Sequence, residues 1–231
     1  MESQRRLINL TRTLPHQTQY TLALQNELAH IAFSEERAPL NKGKWRSDVF
    51  QKSSDIPMDL EIGTGIGKHF AHYVFKHPDR LLVGVEIKYK PLVQAMRRVL
   101  RLGLTNAAMA RVHSFNLADV FAPQEVNHIF LHFPDPWVSP RKPRHRTIKH
   151  EILSQLFQLQ KPGCFFELKT DSREYFDFAL EEIPKTPYVL EFVTYDLHRS
   201  EMKEENFITT FEAIFLKQNL PIYGLRLRKP A

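Results

Sequence analysis

Short apolar runs alternate with amphipathic segments through the middle of the chain, from residue 58 to residue 183. The apolar runs, bounded by turn signals, predict buried strands, and apolar residues at helical spacing predict the helices between them. The predicted strands are residues 58–62, 81–86, 108–112, 126–132 and 164–169. The predicted helices are residues 68–76, 91–102, 147–160 and 172–183. This alternation is typical of a parallel sheet with crossover helices.

The two ends of the chain have a different pattern. Residues 188–196 alternate like a strand, and we expect residues 210–216 to pair with them as an antiparallel hairpin, with residues 197–209 as a long insert. Residues 1–54 predict a helical extension followed by a polar linker, with the helix at residues 17–33. The sequence therefore predicts an α/β, doubly wound fold. Its mostly parallel seven-stranded sheet, with the C-terminal hairpin, would occupy residues 55–231.

Three glycines follow the first predicted strand at alternate positions, as Gly63, Gly65 and Gly67. Glycine permits a tight turn and lets a ligand approach the backbone closely. Glu86 ends the next predicted strand, nineteen residues beyond Gly67, where a carboxylate can accept hydrogen bonds from a ribose diol. Strand, glycine loop, helix, strand and acid together predict a nucleotide-like ligand.

The charge beside this loop narrows the class of ligand. Glu61 precedes the first glycine, where a carboxylate is unfavourable for a pyrophosphate and favourable for the sulfonium and ammonium of S-adenosylmethionine. No Gly-Lys-Ser or Gly-Lys-Thr follows the loop, which excludes a P-loop. We therefore predict a class I methyltransferase core. Asn116, after the third strand, either bonds the adenine edge or tolerates a tight loop.

A carboxylate flanked by prolines ends the fourth predicted strand, in the sequence Phe133-Pro134-Asp135-Pro136-Trp137. Proline fixes φ and restricts the residue before it, so Asp135 is held with few alternatives. From residue 138 to residue 149 the chain has five Arg or Lys and no acid, and this basic run is predicted to contact phosphates. The alternatives are that Asp135 is a cap or a turn acid and that the basic run is a solvated loop.

Composition and charge indicate the class of partner and the cellular compartment. The 231 residues carry a net charge of +6, which favours a polyanionic partner. Cys164 is the single cysteine, so no intramolecular disulfide forms and a reducing compartment is expected. No apolar run approaches the roughly 18 residues of a membrane helix, and the N-terminus does not resemble a signal peptide. We expect a cytoplasmic protein that does not bind a membrane.

In order and spacing, these motifs resemble those of the tRNA (guanine-N7)-methyltransferase family, and the resemblance covers residues 45–223. Two further motifs belong to it: Thr170-Asp171 with Tyr175, and Thr209-Thr210-Phe211-Glu212. The resemblance implies methyl transfer from S-adenosylmethionine to N7 of a guanosine in the tRNA variable loop, at position 46. It implies no metal.

The resemblance also implies roles for individual residues. Asp135 would be catalytic. The methyl donor would be bound by Glu61, Gly63, Gly65, Gly67, Glu86, Asn116 and Asp135. The tRNA would be bound by Asp171, Thr209, Phe211, Glu212, Arg141 and Arg144. Two of these acids have plainer alternatives, since Asp171 could cap the following helix and Glu212 could be an exposed charge on an edge strand.

The chain departs from the family pattern mainly in the basic run, which Ser139, Pro140 and Pro143 interrupt. The donor motifs are intact. Two alternatives therefore stay open: a class I methyltransferase acting on another RNA, a small molecule or a protein, and a non-catalytic RNA-binding paralogue. The need for a protein partner is also open.

Overall fold

The structure is a computed structural model, and it describes residues 16–137 and 146–231. Arg141, Arg144 and the interrupting residues of the basic run lie outside the described residues. No helix in the described part of the chain is long and apolar enough to cross a membrane.

One sheet of eight strands organises the described residues, in the order β1-β4-β3-β2-β5-β6-β8-β7. The strands are β1 (Ala32–Phe33), β2 (Met58–Ile62), β3 (Leu81–Val85), β4 (Ala107–Ala110), β5 (Ile129–His132), β6 (Phe165–Thr170), β7 (Val189–Thr194) and β8 (Tyr223–Arg228). The pairs among β1 to β6 are parallel, and β8 is antiparallel to both β6 and β7. The chain order reverses beside β2, so β2 and β5 begin the crevice in which open α/β sheets bind ligands.

Helices cover both faces of the sheet. They are α1 (Gln19–Gln25), α2 (Lys68–Lys76), α3 (Tyr89–Arg101), the short α4 (Leu117–Val120), α5 (His150–Leu159), α6 (Arg173–Glu182) and α7 (Thr210–Lys217). One core joins α1, α2 and α3 to the sheet, and a second core joins α4, α5 and α6 to the opposite face. Every residue of β2 and β3 is buried for this reason. This explains why β3 is a continuous apolar run, whereas β2 also buries the charged residues Asp59 and Glu61. The predicted α/β architecture is confirmed.

Two parts of the predicted fold are wrong. The sheet has eight strands instead of seven, because Ala32 and Phe33 pair with Met109 and Ala110 at one edge. A strand of two residues shows no alternation, so the sequence pattern could not reveal it.

The second error concerns the hairpin. Residues 210–217 form helix α7, and the strand antiparallel to β7 is β8. The reason is local: Thr209 and Glu212 form a capping box, which starts a helix where we predicted a strand.

The N-terminal extension packs into the same core as the sheet. The helix predicted at residues 17–33 is shorter, at Gln19–Gln25. Trp45 is fully buried, donates its indole N–H to the Val120 carbonyl at 3.0 Å, and stacks on Phe121. The division of the chain at residue 54 stays a prediction.

Candidate active site

The glycine loop is built as the sequence predicts. Gly63, Gly65 and Gly67 have φ of 74°, 57° and 72°, a region that other residues enter only with strain. The Gly63 and Thr64 N–H groups donate to the Val85 carbonyl at 2.9 and 3.2 Å, which fixes the loop over the end of β3. A Cβ on Gly67 would lie 2.5 Å from Cβ of Ala95, so this glycine lets α2 approach α3.

Glu86 holds the loop from the neighbouring strand end. Its Oε2 accepts the Gly65 N–H at 3.0 Å, and its Oε1 accepts the Lys88 N–H at 2.9 Å. A carboxylate oxygen has two lone pairs, so both oxygens can accept a further donor such as a ribose hydroxyl. The structure therefore brings Glu86 and the loop together as predicted.

Glu61 lies on β2 shortly before the same loop, with a side chain only 5% exposed. Its Oε2 contacts Nδ1 of His69, on α2, at 2.9 Å. Its Oε1 has no hydrogen-bond partner within residues 16–137 and 146–231. This leaves one carboxylate oxygen for a cationic ligand.

The loop and the two acids fit S-adenosylmethionine. A Cβ at Gly63 would meet no atom within 4 Å, so the loop has open space on that side. Glu86 suits a ribose diol, and Glu61 suits an ammonium. A pyrophosphate would meet the Glu61 carboxylate instead of a cation.

Asn116 lies beyond β4, at the same edge of the sheet. It ends a short 3₁₀ turn, Ser114–Asn116, and precedes α4. Its side chain makes no capping hydrogen bond to that helix. Contact between its amide and an adenine edge stays a prediction.

The Asp135 segment extends from β5 with an unusual backbone. Phe133 and Trp137, which flank Pro134, Asp135 and Pro136, both have positive φ, at 51° and 45°. Non-glycine residues in this region are strained, and such strain is concentrated at functional sites. The Asp135 carboxylate is exposed and makes no hydrogen bond or ion pair with another described residue. Among the described residues, therefore, the alternative of a turn acid has no support.

Arg146 anchors this segment, a role that the sequence did not reveal. Its side chain is 5% exposed, donates from Nε to the Pro136 carbonyl at 3.0 Å and pairs with Glu174. Its guanidinium also lies 4.8 Å from the centre of the Phe178 ring. The prediction that the basic run contacts phosphates includes Arg146, but this residue is buried inside the protein and fixes the backbone beside Asp135.

Asp171 follows β6, the strand next to β5, and is partly buried. Burial raises the pKa of its carboxyl group. The helix after it is capped by Ser172, whose Oγ accepts the Tyr175 N–H at 3.2 Å. The alternative that Asp171 caps this helix is wrong.

The Thr209–Glu212 motif divides into buried and exposed members. Glu212 is fully buried, and its Oε1 accepts from Nε2 of His198 at 2.8 Å and from Nδ2 of Asn206 at 2.5 Å. The alternative of an exposed charge on an edge strand is therefore wrong. Phe211 points outward and is 58% exposed. Of the two, only Phe211 has a surface that a tRNA could contact directly.

A cavity of about 920 Å³ lies between α2, the β5-β6-β8-β7 part of the sheet and the insert that precedes α7. On one side His72 stacks on Phe207, with ring centres 4.0 Å apart. His69 lies in the wall and contacts Glu61, so the cavity adjoins the donor loop. The sequence did not reveal it, since the histidines show no ligand spacing.

Glu167 and Arg226, two charged residues that line this cavity, are paired with each other. Glu167 accepts from His132 at 3.1 Å and from Arg226 at 2.9 Å. Burial alone would raise the pKa of Glu167, but these partners and the Lys169 charge outweigh it and hold the pKa well below its usual range. Burial also holds the pKa of His132 well below its usual value.

Comparison with known proteins gives the family. A family model described as "Putative methyltransferase" matches residues 55–225. The tRNA (guanine-N(7)-)-methyltransferase of Bdellovibrio bacteriovorus is 53% identical over 208 residues, which are 90% of this chain and 100% of that protein. The chain belongs to the tRNA (guanine-N7)-methyltransferase family. The member from Bacillus licheniformis is 34% identical and aligns with 85% of this chain and 90% of its own length.

Solved structures support the fold of this family member. The 16S rRNA methyltransferase KamB matches with a TM-score of 0.57 at 15% identity, covering 75% of this chain and 88% of that one. An antibiotic-related methyltransferase matches with a TM-score of 0.55 at 14% identity, covering 94% and 96%. At such identities the likeness concerns the fold alone, and it confirms the predicted class I methyltransferase architecture.

Proposed function

We propose that the protein transfers a methyl group from S-adenosylmethionine to N7 of a guanosine in tRNA. The observation that carries the proposal is the identity of 53% over the whole length of a relative named for this activity. The site geometry supports it, since Glu61, Glu86 and the glycine loop converge at one edge of the sheet and Asp135 follows the neighbouring strand.

Guanine N7 carries an in-plane lone pair and needs no proton removed before it attacks. S-adenosylmethionine supplies an electrophilic methyl group on a sulfonium. The protein must therefore align the base with this methyl group and stabilise the positive charge that moves to the purine. Positioning and electrostatics outweigh general base catalysis for this reaction, and no step requires a metal.

The donor would be held by three side chains on adjacent strand ends. Glu61 would accept from the ammonium, Glu86 from the ribose hydroxyls, and Asn116 would meet the adenine edge. The backbone of Gly63, Gly65 and Gly67 would lie against it. These assignments rest on the family resemblance and on the open space beside Gly63 of the loop.

Asp135 is the catalytic residue of the proposal. Its carboxylate is exposed and lies on a segment that prolines and Arg146 hold, so it can face a cationic transition state without rearrangement. Asp171, at the end of the adjacent strand β6, would contact the guanine. Both acids lie where ligands bind in open α/β sheets.

The tRNA would contact the exposed members of the predicted set. Phe211 offers a face on which a base can stack, and Arg141 and Arg144 would meet phosphates. Thr209 and Glu212 would act through the position of α7, because their polar atoms are used in its cap. Position 46 of the variable loop, and a cytoplasmic location, rest on the resemblance and on composition.

Incubation with unmodified tRNA and isotope-labelled S-adenosylmethionine, followed by mass spectrometry of the nucleosides, tests the proposal. We expect labelled 7-methylguanosine, and a loss of about 100-fold or more in rate for Asp135→Asn with the melting temperature retained. Donor binding without transfer to any tRNA would contradict the proposal and indicate a non-catalytic paralogue. Transfer to a small molecule or protein instead would also contradict it.

A further inference from the structure

Glu61 alone does not fix the direction of its free oxygen. Its two carboxylate oxygens exchange places by rotation of one terminal torsion, which has a broad energy profile. A neighbour that binds one oxygen selects one orientation and leaves the second oxygen available to a ligand. In the structure this neighbour is His69, which contacts Oε2 of Glu61 through Nδ1 at 2.9 Å.

His69 is itself firmly held, with a side chain 10% exposed. Its ring lies 4.4 Å from the centre of the His132 ring, edge to face, and 5.4 Å from that of Phe130. Both neighbours belong to β5, so the ring is fixed by the sheet as well as by its own helix. The contact with Glu61 therefore joins the donor acid to the packed interior.

We propose that His69 is a positioning residue of the donor site, which holds Oε2 of Glu61 so that Oε1 accepts from the ammonium of the methyl donor. The inference rests on the proposed role of Glu61. It assigns His69 no contact with the guanine and no proton transfer. Its effect should therefore appear in the affinity for the amino-acid end of the donor and nowhere else.

Two ligands separate this role from a general structural one. S-adenosylhomocysteine carries the ammonium, whereas 5′-methylthioadenosine retains the adenosine and the sulfur but lacks the amino-acid end. His69→Leu should lower the affinity for S-adenosylhomocysteine, measured by calorimetry, by about tenfold or more. This is the range of a hydrogen bond to a charged group. The affinity for 5′-methylthioadenosine should change by no more than about twofold.

Amide substitutions of His69 test which ring nitrogen is needed for the contact with Glu61. The amide nitrogen of Asn reaches the place of Nδ1, and that of Gln reaches the place of Nε2, so His69→Asn should restore donor affinity and His69→Gln should not. If His69→Leu does not fold, this pair carries the test. The matched control is His72→Leu, one turn further along α2, since His72 lines the cavity and stacks on Phe207 without contacting Glu61.

Three results would overturn the inference. The first is an unchanged affinity of His69→Leu for S-adenosylhomocysteine, and the second is an equal loss of affinity for both ligands. The third is an equal affinity of His69→Asn and His69→Gln for S-adenosylhomocysteine. Glu61→Gln separates the two proposals: if this variant binds S-adenosylhomocysteine as the parent does, the role of Glu61 fails and the inference with it. If the parent binds the donor but methylates no tRNA, the proposed function fails while the binding results still support His69.

Discussion

Thr209 and Glu212 cap helix α7 reciprocally. Thr209 Oγ1 accepts the Glu212 N–H at 3.2 Å, and Glu212 Oε2 accepts the Thr209 N–H at 3.2 Å. The same carboxylate lies 3.8 Å from Nζ of Lys169 on β6 and binds His198 and Asn206 of the insert. One buried acid therefore joins the insert, the helix and the sheet beside the proposed site.

We predict that Glu212→Ala destabilises the protein by about 3 kcal/mol, because it leaves the buried Lys169 without its carboxylate and removes half of the cap. Thr209→Ala should cost about 1 kcal/mol, the usual value of a cap, and Thr209→Ser should cost little because it retains the hydroxyl. Urea unfolding measures all three variants. Equal stabilities of Glu212→Ala and the parent would contradict this account of the cap.

The sequence predicts the parallel core because the pattern of apolar residues is local. A continuous apolar run marks β3, apolar residues at alternate positions mark β2, and helical spacing marks α2 and α3. The prediction failed at α7 for a related reason. By resemblance the Thr209-to-Glu212 spacing predicts a substrate motif, and the alternation around it predicts a strand, but the same spacing is also a capping box. The contacts of His69 with Glu61 and of Arg146 with Pro136 depend on packing between elements. No period along the chain encodes them.

Two glycines with positive φ, Gly67 of the loop and Gly103 after α3, provide a matched test of the close approach between α2 and α3. Gly103→Ala should cost about 1 kcal/mol, since its φ is 68° and no atom lies within 4 Å of an added Cβ. Gly67→Ala should cost more, about 3 kcal/mol, because its Cβ would also lie 2.5 Å from that of Ala95. Thermal unfolding checks the order, and equal losses for the two variants would contradict the close approach of α2 to α3.

Gly63→Ala separates stability from binding. Its φ of 74° and the open space around an added Cβ match those of Gly103, so the two variants should lose similar stability. The added methyl group would stand where the donor approaches, and S-adenosylmethionine affinity should fall by about tenfold or more only in Gly63→Ala. Calorimetry with both variants checks this. Normal donor affinity in Gly63→Ala would place the ligand elsewhere.

Arg146 should influence catalysis through the Asp135 segment. Arg146→Lys loses the bond to the Pro136 carbonyl or the pair with Glu174, because an ammonium lacks the planar fork of a guanidinium. We expect the rate of methyl transfer to fall by about tenfold or more while donor affinity changes little. Steady-state kinetics and calorimetry measure the two effects. Arg173→Lys, an exposed arginine paired with Asp177, is the control and should match the parent.

His128 should make stability depend on pH. Its Nδ1 accepts the Phe165 N–H at 3.3 Å, and burial lowers the pKa of the ring from 6.5 to about 4. The folded state therefore binds fewer protons than the unfolded state between pH 4 and pH 6.5. The contribution of His128 to the free energy of unfolding is fully present above pH 6.5 and declines as the pH falls toward 4. His128→Asn retains the acceptor but cannot titrate. It should remove about 3 kcal/mol of the decline, measured by urea unfolding from pH 7 to pH 4. An identical decline in the variant and the parent would contradict the assignment.

Phe211 and Phe75 allow the proposed tRNA surface to be tested with a matched pair. Both rings are exposed, by 58% and 61%. Phe211 lies on α7, the helix whose Phe215 ring lies 5.9 Å from the ring of Phe133 in the Asp135 segment, whereas Phe75 lies near the far end of α2. A base stacked on an aromatic ring contributes about 1–3 kcal/mol. Phe211→Ala should therefore weaken tRNA binding by about 5-fold to 100-fold without changing donor affinity, and Phe75→Ala should leave both unchanged. Filter binding at fixed salt measures the tRNA affinities. Equal effects of the two variants would mean that tRNA does not approach over α7.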